Sequence, residues 1–306
     1  MSHSNQLPAS NYTSPPGVRR VTELPAPPPR PMDSHKGTFG SALIVAGCEG
    51  MAGAASLAGR AALHGGAGLV TVAIPRSIMP VVASAHPSYM TLPLDENDDG
   101  RIRPSATAKL QEFFEKQTSV ALGPGLGRCA DVRETVQRLY ANCPLPLVLD
   151  ADGLNAFEGE ADKLARRVEE APRVLTPHPG EFSRLTGIDT KSIEADREQL
   201  AASFARDHHV ILLLKGPHSV VTDGQRIANN STGDSALATG GSGDVLTGLI
   251  VSFLAQGMQP FDAAQLAAHL HGLAGEIASI RYTDRYTTSL DLVNCLDRAW
   301  KQLLGT

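Results

Sequence analysis

Short uninterrupted apolar runs alternate with longer stretches whose apolar positions recur at helical spacing, and this rhythm holds from residue 41 almost to the C-terminus. The runs are 41–46, 68–74, 119–122, 147–149, 173–175 and 210–214. Each is too short for a helix, and none alternates polar with apolar as a strand with one wet face does. They read as strands of a largely parallel sheet covered on both sides. Helical spacing appears over 53–64, 105–117, 131–141 and 192–207, then over 243–256, 261–280 and 289–303. Pro75 opens a short helical crossover, 95–100 is an acidic loop, and 219–222 with 226–228 forms a hairpin turned at Asp223-Gly224. The alternation predicts a single-domain, three-layer α/β/α fold with a mostly parallel central sheet.

Glycine and polar residues gather just past the predicted strand ends, at 47–50, 123–127, 150–153, 176–181 and 215–216. In open α/β sheets that edge carries the ligand. The most informative stretch is Thr239-Gly240-Gly241-Ser242-Gly243-Asp244, which runs into the apolar segment 245–253. Glycines let backbone N–H groups turn inward and a helix start adds unpaired donors, so Gly240, Gly241, Ser242 and Gly243 suit an anion. Asp244 beside such a cradle is either an ordinary helix cap or a base that takes a proton from a hydroxyl attacking phosphorus.

Other candidates share the edge. Gly123-Pro124-Gly125-Leu126-Gly127 has neither the dinucleotide fingerprint nor a P-loop lysine, and serves as a tight connection or as a place where ligand meets backbone. Asp150 either helps organise Mg²⁺ through water or plays a structural part, whereas Asp152 reads as the cap of a short turn that Asn155 fixes. Two prolines confine His178 in Thr176-Pro177-His178-Pro179-Gly180-Glu181, which sets its ring toward ligand; Glu181 starts a helix or holds water on a metal. Lys215, after the most apolar run, reaches a phosphate as a point charge, Gly216 lets ligand lie against the chain, and Ser219 bonds an adenine or ribose group.

Composition narrows the class. The chain has 306 residues, 42% apolar and 19% charged, with 29 glycines, which suits an α/β enzyme. A net charge of −5 without a basic run excludes nucleic acid as the main partner. No membrane-length apolar span or signal peptide is expected. Cys48, Cys129, Cys143 and Cys295 form no CxxC pair and read as reduced thiols in a cytoplasmic protein. His269 and His271 do not share a helix face and read as core or interface residues rather than zinc ligands. Residues 1–34, rich in proline, are expected to form a flexible arm ahead of one domain over 35–306.

Taken together, Lys36-Gly37-Thr38-Phe39-Gly40-Ser41-Ala42, the turns at 123–127 and 150–155, the 176–181 segment, the 215–219 loop and residues 230–244 resemble the ADP-dependent NAD(P)H-hydrate dehydratases of the ribokinase-like superfamily. The likeness covers nearly all of the chain beyond the arm. It implies ADP-dependent dehydration of hydrated NADH or NADPH, with release of AMP and phosphate and with ATP serving in some relatives. It further implies that Ala42, Gly125, His178 and Asp244 contact the hydrated dinucleotide, and that Lys215, Gly216, Pro217, His218, Ser219 and Gly243 hold the adenosine nucleotide. Mg²⁺ and a homotetramer are implied as well, while metal ligands stay unassigned. The length leaves no room for the epimerase domain fused in many relatives, so a separate epimerase is expected. The alternatives are a small-molecule kinase, which would leave a stable phosphoester, and a non-catalytic nucleotide-binding protein.

Overall fold

The computed structural model describes residues 14–167 and 171–306. Ten strands form one sheet: β1 (Arg19–Arg20), β2 (Ser41–Val45), β3 (Leu69–Pro75), β4 (Met90–Leu94), β5 (Ser119–Leu122), β6 (Leu147–Leu149), β7 (Arg173–Leu175), β8 (Ile211–Leu214), β9 (Val220–Thr222) and β10 (Arg226–Asn229). Their spatial order is β1-β10-β9-β8-β7-β6-β5-β2-β3-β4. All neighbours pair parallel except β9, which runs antiparallel to β8 and β10. The chain winds outward from β2 through β3 to β4, then returns to the other side of β2 as β5. That reversal leaves a crevice beyond the C-terminal ends of β2 and β5, where such sheets bind ligands.

Eleven α-helices join these strands among the described residues: α1 (Ala52–His64), α2 (Met79–Ala85), α3 (Ala106–Phe114), α4 (Ala130–Asn142), α5 (Asp152–Asn155), α6 (Pro179–Thr186), α7 (Thr190–Ala195), α8 (Arg197–His208), α9 (Ser242–Ala255), α10 (Pro260–Tyr282) and α11 (Ser289–Leu304). Side chains alternate across the strands, so Ile44, Ala121, Val148 and Leu213 enter one core with α1, α9, α10 and α11. Leu43, Leu122, Leu149 and Leu212 enter a second with α3, α4, α6 and α8. The molecule is the three-layer α/β/α sandwich that the apolar runs predict. Both faces of the sheet are dry, which is why its strands lack polar alternation.

Three elements differ from the sequence reading. β4 contains Pro93 and pairs only with β3, and an edge strand tolerates a missing N–H. The single helix expected over 192–207 is two, α7 and α8, because Asp196 leaves helical geometry at φ −141°. The described part of the expected arm is not free. β1 pairs with β10, Val18 is buried, and Arg20 Nη2 donates to Glu198 on α8 at 2.6 Å. Residues 1–13 of that arm lie outside the described residues. Among the described residues, no helix is long and apolar enough to cross a membrane.

Candidate active site

Five turns converge beyond the C-terminal edge of the sheet. Gly47 N–H, past β2, donates to Pro124 O, past β5, and closes the floor of the crevice. Gly123 has φ +136°, and a Cβ there would lie 1.8 Å from Asp150 O, so only glycine lets these two turns touch. Gly125 lies at the same edge, tight against Met51 and Ala54 at the start of α1. Asp152 does not cap its own turn. Its Oδ2 accepts from Gly127 N–H at 2.8 Å, and its Oδ1 accepts from Asn155 Nδ2, which ties the glycine turn to the end of β6.

The electrostatic centre lies one strand further on. Asp150, 1% exposed, accepts from Lys215 Nζ at 2.9 Å through Oδ1 and from Thr247 Oγ1 at 2.7 Å through Oδ2. Glu181 Oε2 stands 3.7 Å from the same ammonium. Burial pushes the Lys215 pKa down, but Asp150 and Glu181 outweigh it and hold the ammonium firmly charged. Lys215 also borders Gly243, where an added Cβ would lie 3.3 Å from Nζ. Strand ends β6 and β8, helix α6 and the start of α9 thus meet on one charge.

Asp244 is the third residue of α9, within reach of that cluster. Burial, then the Asp150 carboxylate, push its pKa up to about 7 against the pull of Lys215. Sequence reading left it as cap or base. The structure settles part of that, because Gly241 is the N-cap residue and no side chain caps this helix. The glycine turn itself is partly spent, as Ser242 N–H donates to Thr239 O and Asp244 N–H to Gly241 O. The amides of Gly240, Gly241 and Gly243 have no backbone acceptor among the described residues. Three amides of the turn thus lack a backbone acceptor, and the Lys215 charge borders Gly243.

His178 is held as its flanking prolines require. It is the N-cap of α6, with Nδ1 accepting from Gly180 and Glu181 N–H, while Glu181 Oε2 accepts from His178 N–H at 2.8 Å. This reciprocal cap fixes both side chains. Burial lowers the His178 pKa, partly opposed by Glu181; with Nδ1 accepting, the ring proton sits on Nε2, 3.5 Å from Glu181 Oε1. Past Lys215, Gly216, Pro217 and His218 form an exposed loop, and Ser219 Oγ donates back to Gly216 O. Gly216 also packs against α8. The space its Cβ would fill belongs to Arg197, 2.9 Å away, whose Nη2 donates to Leu214 O and Lys215 O.

Ala42 does not reach this site. It is fully buried, pairs with Ser119 and lies three residues before the end of β2, roughly 10 Å short of the edge. Ser119 Oγ in turn donates to Val251 O, near the opposite end of α9 from Asp244. A strand-end motif attracts attention to all its residues, but only those past the strand can face ligand. Thr247 and Arg197 escaped notice. Thr247 was detectable, since it follows Asp244 by three residues and so shares its helix face. Arg197 gave no local signal.

Among the described residues, no group of three or more His, Cys, Asp and Glu side chains is spaced to hold a metal ion. The carboxylates of Asp150 and Glu181 face an ammonium instead. This donor set fits a cation that arrives with a nucleotide's phosphates and meets the protein through water.

A family profile described as NAD(P)H-hydrate dehydratase matches residues 42–298. The bifunctional NAD(P)H-hydrate repair enzyme Nnr of Moorella thermoacetica is 40% identical over 278 residues, which are 90% of this chain and 52% of that protein. The chain therefore spans about half the length of the first curated relatives it matches. A crystal structure of the ADP/ATP-dependent NAD(P)H-hydrate dehydratase from Bacillus subtilis, co-crystallised with ATP and Mg²⁺, superposes with a TM-score of 0.75 at 30% identity and covers 90% of this chain and 94% of that one. A ribokinase-like superfamily protein from Enterococcus faecalis shares the fold with a TM-score of 0.78 at 23% identity, covering 96% and 99%.

Proposed function

This chain belongs to the NAD(P)H-hydrate dehydratase family, and we propose that it converts hydrated NADH or NADPH to the reduced cofactor at the expense of ADP, releasing AMP and phosphate. The observation that carries this reading is Asp244, a part-buried carboxylate whose pKa of about 7 suits a general base near neutral pH. In the first step the 6-hydroxyl oxygen of the hydrated ring attacks the terminal phosphorus of ADP. The bond from that phosphorus to the bridging oxygen breaks, AMP leaves, and Asp244 takes the hydroxyl proton. Charge building on the phosphoryl oxygens meets Lys215 and the amides of Gly240, Gly241 and Gly243. In the second step the C–O bond to phosphate breaks with help from the ring nitrogen's electron pair, the neighbouring carbon gives a proton to water, and its C–H electrons form the ring C=C bond as phosphate leaves. Phosphate leaves carbon far more readily than hydroxide does.

Gly125 and His178 would contact the dinucleotide, and 215–219 with Gly243 the adenosine nucleotide. Mg²⁺ bound to the phosphates would offset their charge, with Asp150 and Glu181 reaching it through water. A homotetramer is part of the same proposal.

The test mixes protein, Mg²⁺, ADP or ATP and hydrated NADH and follows reduced-nicotinamide absorbance. Absorbance should rise and AMP appear with ADP; no gain with either nucleotide refutes the reading. Asp244→Asn should keep ADP binding by calorimetry and lose turnover by about 10²–10⁴-fold.

A further inference from the structure

Helix α10 runs beneath the glycine turn and sets His271 against the first residue of α9. The imidazole is 7% exposed, and its Nε2 lies 3.1 Å from Ser242 Oγ, itself on a residue 6% exposed. His269, two positions earlier, faces elsewhere, with its carbonyl accepting from Thr232 Oγ1. Because Ser242 N–H is spent on Thr239 O, the hydroxyl is the donor Ser242 has left for an anion. A hydroxyl has one proton and two lone pairs. If His271 Nε2 is bare, it takes that proton and leaves only lone pairs toward an incoming phosphate. If Nε2 carries a proton, it donates to Oγ, and the Ser242 O–H is released to donate onward. Burial pushes the His271 pKa down to about 4 against a hydrogen bond with the Ser242 backbone, the Lys215 charge acts in the same direction as burial, and the ring is neutral near pH 7.

We propose that His271 is a positioning residue: its neutral Nε2–H form holds Ser242 Oγ and turns the Ser242 hydroxyl onto the phosphoryl group in transfer. It rests on the reading of 240–243 as the phosphoryl cradle. One more donor then joins the amides of Gly240, Gly241 and Gly243 at the oxygens where charge builds.

Kinetics and spectroscopy test it separately. Ser242→Ala and His271→Ala should each lower kcat by about 10–10²-fold while KM for ADP changes by less than about threefold. The double variant should be no slower than Ser242→Ala, since the two residues act as one unit. His271→Gln, whose amide donates from a similar position, should recover most of the rate. Independent, multiplying losses in the double variant, or an unchanged His271→Ala, would overturn the inference. The ¹⁵N spectrum of the imidazole in the full chain should show a neutral ring protonated at Nε2 between pH 6 and 8, and a proton on Nδ1 would refute it. If the wild-type protein turns over no hydrate with either nucleotide, the dehydratase reading fails, and the spectrum still decides the tautomer.

Discussion

Asp244 and Asp150 form a pair in which one carboxylate is saturated and the other is left wanting a proton. Asp150 is bonded on both oxygens, by Lys215 and Thr247, and it raises the pKa of its neighbour Asp244. With Asp244 as the proposed base, its pKa of about 7 would set the pH profile. kcat/KM should climb roughly tenfold per pH unit below that point and level off above it, because in the proposed mechanism only ionised Asp244 accepts the proton. Stability should run the opposite way. A raised folded-state pKa means the folded chain holds this proton better than the unfolded one, so the favourable contribution is complete below about pH 4 and is lost as pH rises to about 7. Asp244→Asn carries no charge to bury. It should therefore unfold at higher urea than the wild type at pH 8, by up to about 4 kcal/mol, with the advantage gone near pH 4. Equal stability of the two at both pH values would contradict the burial of this carboxylate. The position of Asp244 was legible from its glycines. Its proton affinity was not, because the charges that set it come from strands far away in sequence.

Helix α9 is aimed by what it lacks. At Gly248 an added Cβ would lie 2.3 Å from Ala58 O and 2.7 Å from Ala61 Cβ on α1, so the two helices touch backbone to backbone. Gly248→Ala therefore improves helix propensity by about 1 kcal/mol and yet should destabilise the fold by about 1–3 kcal/mol through overpacking. Calorimetry should show a lower Tm. Turnover should fall as well, since α9 carries Asp244 at one end and α1 backs the Gly125 turn. A Tm at or above wild type would show that α1 yields without strain. Helices and strands as types were largely readable here, because dry strands and small-residue helices leave plain apolar patterns. The break between α7 and α8 was not, for no glycine or proline marks it. β4 hid behind Pro93, which is tolerable only because of where the strand falls in the sheet.

At the scale of the whole molecule, the N-terminal segment straps the β10 edge of the sheet to α8 and α10. Arg20 bonds Glu198 and the side chain of Asn229, while Gln265 on α10 donates to Glu23 O. Next door, Arg197 grips the carbonyls of Leu214 and Lys215. Arg20→Ala should lower unfolding free energy by about 1–3 kcal/mol, as loss of a part-buried charged hydrogen bond does. An unchanged urea midpoint would show that β1 adds nothing to the fold. By itself the sequence determined the layered α/β architecture, the sheet edge where glycine and polar turns gather and the residue types found there. These follow from local backbone preference and from apolar periodicity, which each segment carries alone. Only the tertiary structure decided that Ala42 lies inside the sheet, that Asp152 holds the glycine turn, that Lys215 joins two carboxylates and that His271 meets Ser242. Each of those depends on which distant strand or helix ends stand beside one another, and pairing across such separations leaves no periodic trace in the chain.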